Sequence, residues 1–323
     1  MLISTLAAMT AGYILSVIFG TPRAISAARL TGILCDKLAP ALSGKYEDSD
    51  EGQHTAGVVY LTLIILVALV PSLLILILLY MYVPFLAIIA DALLCWSVMD
   101  IKSIQKLSAA AARSVRSKNF SKTERCATVL SGLDCTELED EELIKASVQG
   151  IADRTVDTAA APLLYMFLLS GPAGLLFRMV DTAANLCPTD TDRQASFAEP
   201  LKKLQKALCF LPGKLASVIM LVDALFLKLN TRSAEKILRS DSCKCLRKCF
   251  GGCRAVLAGV LGISMIPEEV YSEQFLRTYT IGEQLKDPSS SDISMATQLM
   301  NGTVFIIMML LFAVKLTVGI FMR

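Results

Sequence analysis

The sequence carries little charge and few of the motifs by which soluble enzymes are recognised. Only 19% of its 323 residues are charged, and His54 is its single histidine. It contains no Walker A sequence, no G-x-G-x-x-G fingerprint and no nucleophile elbow. These absences exclude the phosphate loops, dinucleotide-binding units and serine hydrolases that such motifs mark. His54 has no visible partner for catalysis or metal ligation, and we expect it at the surface.

Net charge is low as well, at +2, and basic residues are not interleaved with aromatic ones, so no nucleic-acid partner is expected. Ten cysteines are present. Disulfide-dense chains are usually short and secreted, so we expect reduced thiols and no structural disulfide. One C-x-C-x3-C-x3-C run matches no common metal spacing, which predicts no structural metal there. The run consists of Cys243, Cys245, Cys249 and Cys253.

The sequence does have long apolar runs, within a composition that is 54% hydrophobic. Residues 1–20 carry no charge and lack the basic start of a signal peptide, so we expect a retained anchor. Residues 56–99 carry one charge, Asp91. At about 1.5 Å per residue they reach roughly 66 Å, enough for two crossings with a turn near 80–84. Full spans are predicted at 2–20, 57–79, 83–99 and 303–322.

Two weaker apolar segments lie at 158–177 and 207–227. Ser170-Gly171-Pro172 interrupts the first, which predicts a helix break and a re-entrant or packed helix pair. The basic loops before and after these segments are predicted to lie on the same side of the membrane. Neither segment can therefore be a lone full span. The predicted fold is an all-α polytopic helical membrane protein. It forms a single domain over 1–323, with about four full spans, broken or re-entrant apolar helices, and cytoplasmic helical regions at about 100–157 and 178–300.

The charged loops predict the orientation of the chain. Residues 21–55 carry four basic side chains, 100–125 carry seven and 202–254 carry twelve, whereas the 81–84 turn carries none. The predicted location is the cell membrane, the inner membrane where there are two. By the positive-inside rule, the basic loops lie in the cytoplasm and the N-terminus lies on the outer side. Only Asp91 and Lys315 fall within the clear spans, too few for a transport pathway.

An acidic stretch opens a predicted cytoplasmic helix. Thr136 and Glu139 have the spacing of a capping box, and the helix is expected to run past Val156. Three polar residues recur every four positions along it and so share one face: Gln149, Asp153 and Asp157. That face either holds a divalent cation for a bound phosphate or is a polar stripe that faces a loop.

Several short blocks occur in an order shared with a known family. They are Gly20-Thr21-Pro22, Ala28-Arg29-Leu30-Thr31-Gly32, Gly132-Leu133-Asp134-Cys135, residues 149–158, Ala161-Pro162-Leu163, Gly171-Pro172-Ala173-Gly174, residues 178–182, residues 258–262 and Ile281-Gly282. In this order the chain resembles the membrane-bound adenosylcobinamide-phosphate synthases of cobalamin biosynthesis, called CobD or CbiB, over its whole length.

Several polar positions of that family are replaced. Its first cytoplasmic His-Pro corresponds to Ser26-Ala27, the first Glu of its acidic face to Gln149, and an Asp-Asp pair to Gln205-Lys206. The chain is therefore similar to a divergent member. Asp and Arg residues nevertheless stand at five matching positions: Asp134, Asp153, Asp157, Arg178 and Asp181.

The resemblance implies ATP-dependent joining of the carboxylate of adenosylcobyric acid to the amine of aminopropanol phosphate. It implies Mg²⁺ and ATP, with Asp153 and Asp157 as metal ligands. The implied catalytic residues are Asp134, Asp153 and Asp157. The implied substrate and phosphate contacts are Arg178, Asp181, Lys206 and Lys214.

The implied partners are the corrinoid, the amine, the lipid bilayer, and either other cobalamin-pathway proteins or a second copy of the chain. A second hypothesis stays open at this point. The chain could be a non-catalytic descendant that acts as a membrane regulatory or partner-binding protein, as the AmpE relatives of the family suggest.

Overall fold

The structure is a computed structural model, which describes residues 2–22, 26–46, 49–136, 138–188, 191–242, 248–265 and 280–321. These residues form helices and no β-strand, apart from one isolated bridge between Met265 and Ile281. The helices are α1 (Leu2–Ile18), α2 (Ala27–Ser43), α3 (Asp50–Tyr82), α4 (Pro84–Val98), α5 (Ile101–Arg116), α6 (Phe120–Ser131), α7 (Asp140–Arg154), a π-helical segment (Thr155–Ala160), α8 (Ala161–Leu169), α9 (Gly171–Leu186), α10 (Asp192–Phe226), α11 (Thr231–Asp241), α12 (Lys248–Leu261) and α13 (Ser290–Phe321). The predicted all-α class is confirmed.

Within the described residues, four stretches of helix are long and apolar enough to cross a membrane: α3, α4 with α5, α10 and α13. The architecture is that of a polytopic helical membrane protein. The predicted spans 57–79, 83–99 and 303–322 fall in α3, α4 and α13, and Pro84 lies in the first turn of α4 as expected. The predicted first span coincides with α1, an apolar helix whose 17 residues are at the lower limit for a crossing.

Residues 207–227 differ from expectation, because nearly all of them lie in the continuous 35-residue helix α10, which is long enough to cross. By length and composition, α10 is one of the four candidate spans within the described residues.

The ends of α1 and α4 lie side by side. The indole N–H of Trp96 donates to the carbonyl of Gly20 at 2.9 Å, and the Ser16 hydroxyl donates to the carbonyl of Met99 at 3.2 Å. Gly20 has a φ of +73°, a left-handed conformation that favours glycine. Because both helices end at the same level, they run in the same direction, and the segments that follow them leave on the same side.

The chain divides into two compact units. Unit 1 comprises Met1–Asp100, Ala161–Cys209 and Leu310–Arg323. Its core joins α2, α3, α9 and the first half of α10, with Tyr60 packed on Phe197 at a ring distance of 5.5 Å. Burial of these apolar side chains is what holds the four helices together.

Unit 2 comprises Ile101–Ala160 and Phe210–Met309. In it, α7 packs on α6 and α12, and α11 packs on α12. Gly150 brings α7 close to the end of α6, because a Cβ there would lie 2.6 Å from the carbonyl oxygen of Leu130. Only glycine allows this approach, which sets the position of the polar face of α7.

The predicted helix break is present at the predicted residues. Ser170 has a φ of +64° between α8 and α9. The two helices pack as a pair, and the rings of Tyr165 and Phe177 stack at 5.2 Å. The part of the apolar segment that lies in unit 1, residues 161–177, therefore includes a turn between two packed helices rather than a single straight helix.

Two charged side chains satisfy the backbone at this break. The carboxylate of Asp91 accepts hydrogen bonds from the N–H of Gly171, at 2.9 Å, and from the hydroxyl of Ser170. The ammonium of Lys315 donates to the carbonyl of Phe167 at 3.2 Å. A negative charge thus lies at the N-terminus of α9 and a positive one near the C-terminus of α8, as the helix dipoles favour. The two charges found in the clear spans have a structural role.

We predict that Asp91→Leu lowers the free energy of unfolding by about 1–3 kcal/mol, because it leaves buried donors at the break without an acceptor. Asp91→Asn is the control, since it keeps one acceptor oxygen and should lose less. Thermal unfolding of the purified protein in detergent measures both. Equal stability of Asp91→Leu and the wild type would show that the carboxylate does not support the break.

Candidate functional site

The turn before α7 is built differently from the prediction. Thr136 is not the helix cap, because its N–H and hydroxyl both donate to Asp134 Oδ1, at 3.2 and 2.9 Å. The cap is Glu139, whose N–H donates to the Glu142 carboxylate at 3.3 Å. The capping box therefore lies three residues further along. Asp134 is an exposed turn residue that orders this loop.

The polar face predicted on this helix is buried. Gln149, Asp153 and Asp157 are only 2%, 8% and 4% exposed. The helix continues past Val156 as expected, although as the π-helical segment Thr155–Ala160. Because π-helical turns are wider than α-helical ones, the equal spacing does not extend one uniform α-helical face to Asp157. A buried polar face needs partners, and unit 2 supplies them.

The main partner is Arg254 on α12, which is fully buried. Its guanidinium holds both oxygens of the Asp153 carboxylate, with an Nε–Oδ1 distance of 2.7 Å. This bidentate geometry is the strongest form of a charged hydrogen bond. The sequence analysis missed Arg254. Its signal was an arginine inside the apolar, glycine-rich helix of residues 248–261, where an unpaired charge would be costly.

Asp157 has different partners. Its carboxylate accepts from the Thr158 hydroxyl at 2.7 Å and lies 3.8 Å from the guanidinium of Arg154. Arg154 also donates to the carbonyls of Leu130 and Val129 at the end of α6. Two arginines therefore accompany the two carboxylates of this face.

Gln149 completes the face with a donor that is not used by any described residue. Its Nε2 is buried and has no hydrogen-bond partner in the described part of the chain. Leaving a buried amide unsatisfied costs about 1–3 kcal/mol, so such a group in a native site calls for an explanation such as a bound molecule. It stands one helical turn before Asp153.

The carboxylates of this face are already engaged by protein groups. Both oxygens of Asp153 are held by Arg254, and Asp157 is held by Thr158 and Arg154. Among the described residues, no group of three or more histidine, cysteine, aspartate or glutamate side chains could hold a metal ion. The arrangement does not form a protein cage for Mg²⁺, and the assignment of Asp153 and Asp157 as its ligands stays a prediction.

Unit 1 contains a second buried polar cluster, on α9 and α10. The guanidinium of Arg178 lies 3.5 Å from the carboxylate of Asp181. Asp181 also accepts from the amides of Gln205, at 2.7 Å, and Asn185, at 3.3 Å. The structure thus brings together two predicted residues, Arg178 and Asp181. The structure adds Asn185, which the sequence analysis missed. It also adds Gln205, which the sequence analysis named only because it replaces an aspartate of the family.

The predicted site residues do not form one constellation within either unit. Asp134, Asp153, Asp157 and Lys214 belong to unit 2, and Arg178, Asp181 and Lys206 belong to unit 1. Lys206 and Lys214 are exposed, and the ammonium of Lys214 lies 6.0 Å from the ring centre of Phe210.

His54 lies partly exposed, 3.6 Å from the exposed Glu199, as expected for a surface residue. Two cysteines of the clustered run, Cys243 and Cys245, lie outside the described residues. Cys249 and Cys253 are buried in α12, and none of the eight described cysteines forms a disulfide. Burial and the nearby Asp153 carboxylate raise the pKa of the Cys253 thiol, which disfavours the thiolate that a metal needs.

We predict that Asp153→Asn lowers the free energy of unfolding by about 3–5 kcal/mol, because it leaves the Arg254 charge buried without a counter-charge. Glu141→Gln, an exposed change on the same helix, should stay within about 0.5 kcal/mol of the wild type. The double variant Asp153→Leu with Arg254→Met should recover much of the loss. Denaturant unfolding in detergent compares the three. If Asp153→Asn and Glu141→Gln are equally stable, the ion pair does not matter for folding.

Comparison with known proteins identifies the family. A sequence profile described as CobD/Cbib protein matches residues 9–300. The chain is 24% identical to the cobalamin biosynthesis protein CobD of Halalkalibacterium halodurans, over 79% of this chain and 81% of that protein. It is 23% identical to CobD of Geobacter metallireducens, over 70% and 71% of the two chains. The cobalamin biosynthesis protein CbiB of Salmonella arizonae is 23% identical, over 68% and 69%.

No solved structure gives a significant match to this chain. The profile, however, covers both units and nearly all of the helices described above. By that match, this protein belongs to the CobD/CbiB family of cobalamin biosynthesis proteins.

Proposed function

We propose that this protein forms an amide bond between the carboxylate of adenosylcobyric acid and the amine of aminopropanol or its phosphate, at the expense of ATP. Membership of the CobD/CbiB family supports a role in cobalamin side-chain assembly. The relatives described above are all cobalamin biosynthesis proteins. The proposal extends their shared role to a specific reaction.

One observation carries the proposal, namely the buried polar face of α7 together with Arg254 of α12, which pairs with Asp153. The planar guanidinium of Arg254 is held by both oxygens of Asp153, which fixes a buried positive charge beside the polar face of α7. Gln149 adds a buried amide donor one turn away. In a site of low dielectric such fixed donors stabilise negative charge that develops on a phosphoryl or carbonyl oxygen. This is what activation of a carboxylate by ATP requires.

The other residues would act through substrate binding. In this proposal the exposed Lys206 and Lys214 contact phosphate at the protein surface, and Arg178 with Asp181 forms a buried polar wall of unit 1. Asp157 positions neighbouring groups rather than taking the proton of the amine, because an aspartate is too weak a base for an ammonium near neutral pH. ATP with Mg²⁺ would supply the phosphoryl group, and no step is assigned to metal ligands of the protein.

The proposed orientation places the N-terminus outside the cell membrane and the basic loops 21–55 and 100–157 in the cytoplasm. The parallel ends of α1 and α4 support a common side for both loops. The positive-inside rule supports the cytoplasm as that side. Substrate and ATP, which are cytoplasmic, would then reach unit 2 directly.

The non-catalytic hypothesis, a regulatory or partner-binding descendant, is not favoured. The comparisons support cobalamin biosynthesis, and the buried amide of Gln149 has no hydrogen-bond partner among the described residues. A buried unsatisfied amide reduces stability, so a scaffold without a ligand would gain by replacing it.

We predict that Asp157→Asn reduces amide formation by a hundredfold or more, corresponding to a loss of about 2.7 kcal/mol or more of transition-state stabilisation. Glu141→Gln is the control, because it removes an exposed carboxylate from the same helix. The assay supplies purified protein with the corrinoid carboxylic acid, aminopropanol phosphate and ATP–Mg²⁺. A wild type that neither forms the amide nor binds ATP would overturn the enzyme proposal. Full activity of Asp157→Asn would remove only that residue from the site.

We also predict the topology from cysteine labelling, in a cysteine-free background with single new cysteines. An impermeant thiol reagent applied to intact cells should label Tyr82→Cys, because Tyr82 lies in the uncharged outer turn. It should label Ser43→Cys and Ser117→Cys only after the cells are opened. The reverse pattern would place the basic loops outside.

A further inference from the structure

Unit 2 carries two neighbouring groups of surface residues with opposite charge. Between residues 113 and 125 five side chains are basic and one is acidic, whereas between residues 134 and 142 six are acidic and none is basic. The described members of both groups form no ion pair with any described residue. Neither group is therefore neutralised within one copy of the chain. The basic group consists of Arg113, Arg116, Lys118, Lys122 and Arg125, and the acidic group consists of Asp134, Glu137, Glu139, Asp140, Glu141 and Glu142.

The two groups meet at a shallow groove beside the turn between α5 and α6. Phe120 is the first residue of α6, stands between Lys118 and Lys122 in the sequence, and is 42% exposed. An exposed aromatic ring next to charged side chains is typical of a surface that binds another protein. The ring belongs to the lining of the groove together with acidic residues from the start of α7. The lining consists of Phe120, Thr136, Leu138, Glu139, Asp140 and Glu141.

This surface lies in water rather than at the lipid headgroups. Helix α5 runs antiparallel to the first turns of α13, because Gln105 Nε2 donates to Asn301 Oδ1 at 2.8 Å and Arg116 Nε donates to Ser290 Oγ at 3.2 Å. The predicted span of α13 begins at residue 303. At about 1.5 Å per residue, Ser290 lies roughly 20 Å before that residue along the helix axis. With an ordinary tilt of α13, the end of α5 therefore lies beyond the headgroup layer.

We propose that this surface joins two copies of the chain in a dimer whose two-fold axis is perpendicular to the membrane. Lys118 and Lys122 of each copy pair with the acidic residues around the groove of the other copy, and the two Phe120 rings pack near the axis. A contact of this kind is isologous, so every attractive pair occurs twice. Copies inserted in the same orientation hold their α5–α6 turns at the same height, so the axis brings the two grooves together without tilting either copy.

A second copy fits this surface better than a foreign protein does, because the surface carries both halves of a complementary pair. A two-fold axis through the α5–α6 turn places each charged group opposite its complement. A partner with one sign of charge would leave the other group without a counter-charge or facing its own sign. Exposed charges contribute mainly specificity and association rate, and salt screens them, so the dimer is reversible and sensitive to salt. Its formation does not depend on the proposed reaction.

Sedimentation equilibrium of the full chain, in density-matched non-ionic detergent, tests the inference. At about 50 mM NaCl a monomer–dimer equilibrium is expected, and about 500 mM NaCl should weaken it at least tenfold because the screening length shortens. Lys118→Glu with Lys122→Glu, and separately Asp140→Lys with Glu141→Lys, should each weaken self-association at least tenfold. Each double change places like charges opposite each other at the centre of the contact.

The matched control is Arg29→Glu with Lys37→Glu, which reverses two exposed charges on α2 in unit 1. This variant should associate as the wild type does. A wild type that stays monomeric at low salt overturns the inference. So does a dimer that is equally strong at both salt concentrations, or equally strong in the wild type and in both charge-reversal variants.

Mixing the two charge-reversal variants gives the sharpest test. One variant is acidic on both sides of the contact and the other is basic on both sides at the substituted positions, so together they should form a mixed dimer. Co-purification of differently tagged copies detects it, and a mixed dimer also shows that both variants are folded. If both variants unfold at the temperature of the wild type and the mixture still does not associate, the two groups do not pair across a dimer.

Discussion

The structure depends on one constraint, that a charge or backbone polar group buried among apolar helices must have a partner. At the break between α8 and α9, Asp91 and Lys315 satisfy backbone groups that the turn exposes. In α7 the same constraint pairs Asp153 with Arg254. Burying either charge alone would cost several kcal/mol, so each pair also specifies which helices pack together.

This constraint concentrates the polar chemistry of the chain in a few places. Unit 2 has its buried carboxylates and arginines on α7 and α12, and unit 1 has its cluster around Asp181. Such groups are stable only in a site that either satisfies them internally or supplies a ligand. Most are satisfied internally. The Gln149 amide is one of the few buried polar groups that no described residue satisfies.

The sequence predicted the helical class, the turn at 80–84 and the break at Ser170 because each follows from local rules: apolar length, proline position and small residues. It also predicted that Gln149, Asp153 and Asp157 share one polar face of the helix that begins before them. It placed the helix cap at Thr136 instead of Glu139, since capping spacing does not reveal that Thr136 is bound to Asp134. It also predicted that 207–227 is not a lone full span, whereas this segment lies in a helix long enough to cross, because charge counts do not measure the length of a helix.

The sequence by itself determined which segments are apolar, where the basic loops lie and to which family the order of motifs is similar. These properties depend on residues close together in the chain. Only the tertiary structure decided that Arg254 holds Asp153 and that Lys315 and Asp91 support the same helix break. Each of these pairs joins residues far apart in sequence. Their partnership comes from helix packing, which no local pattern encodes.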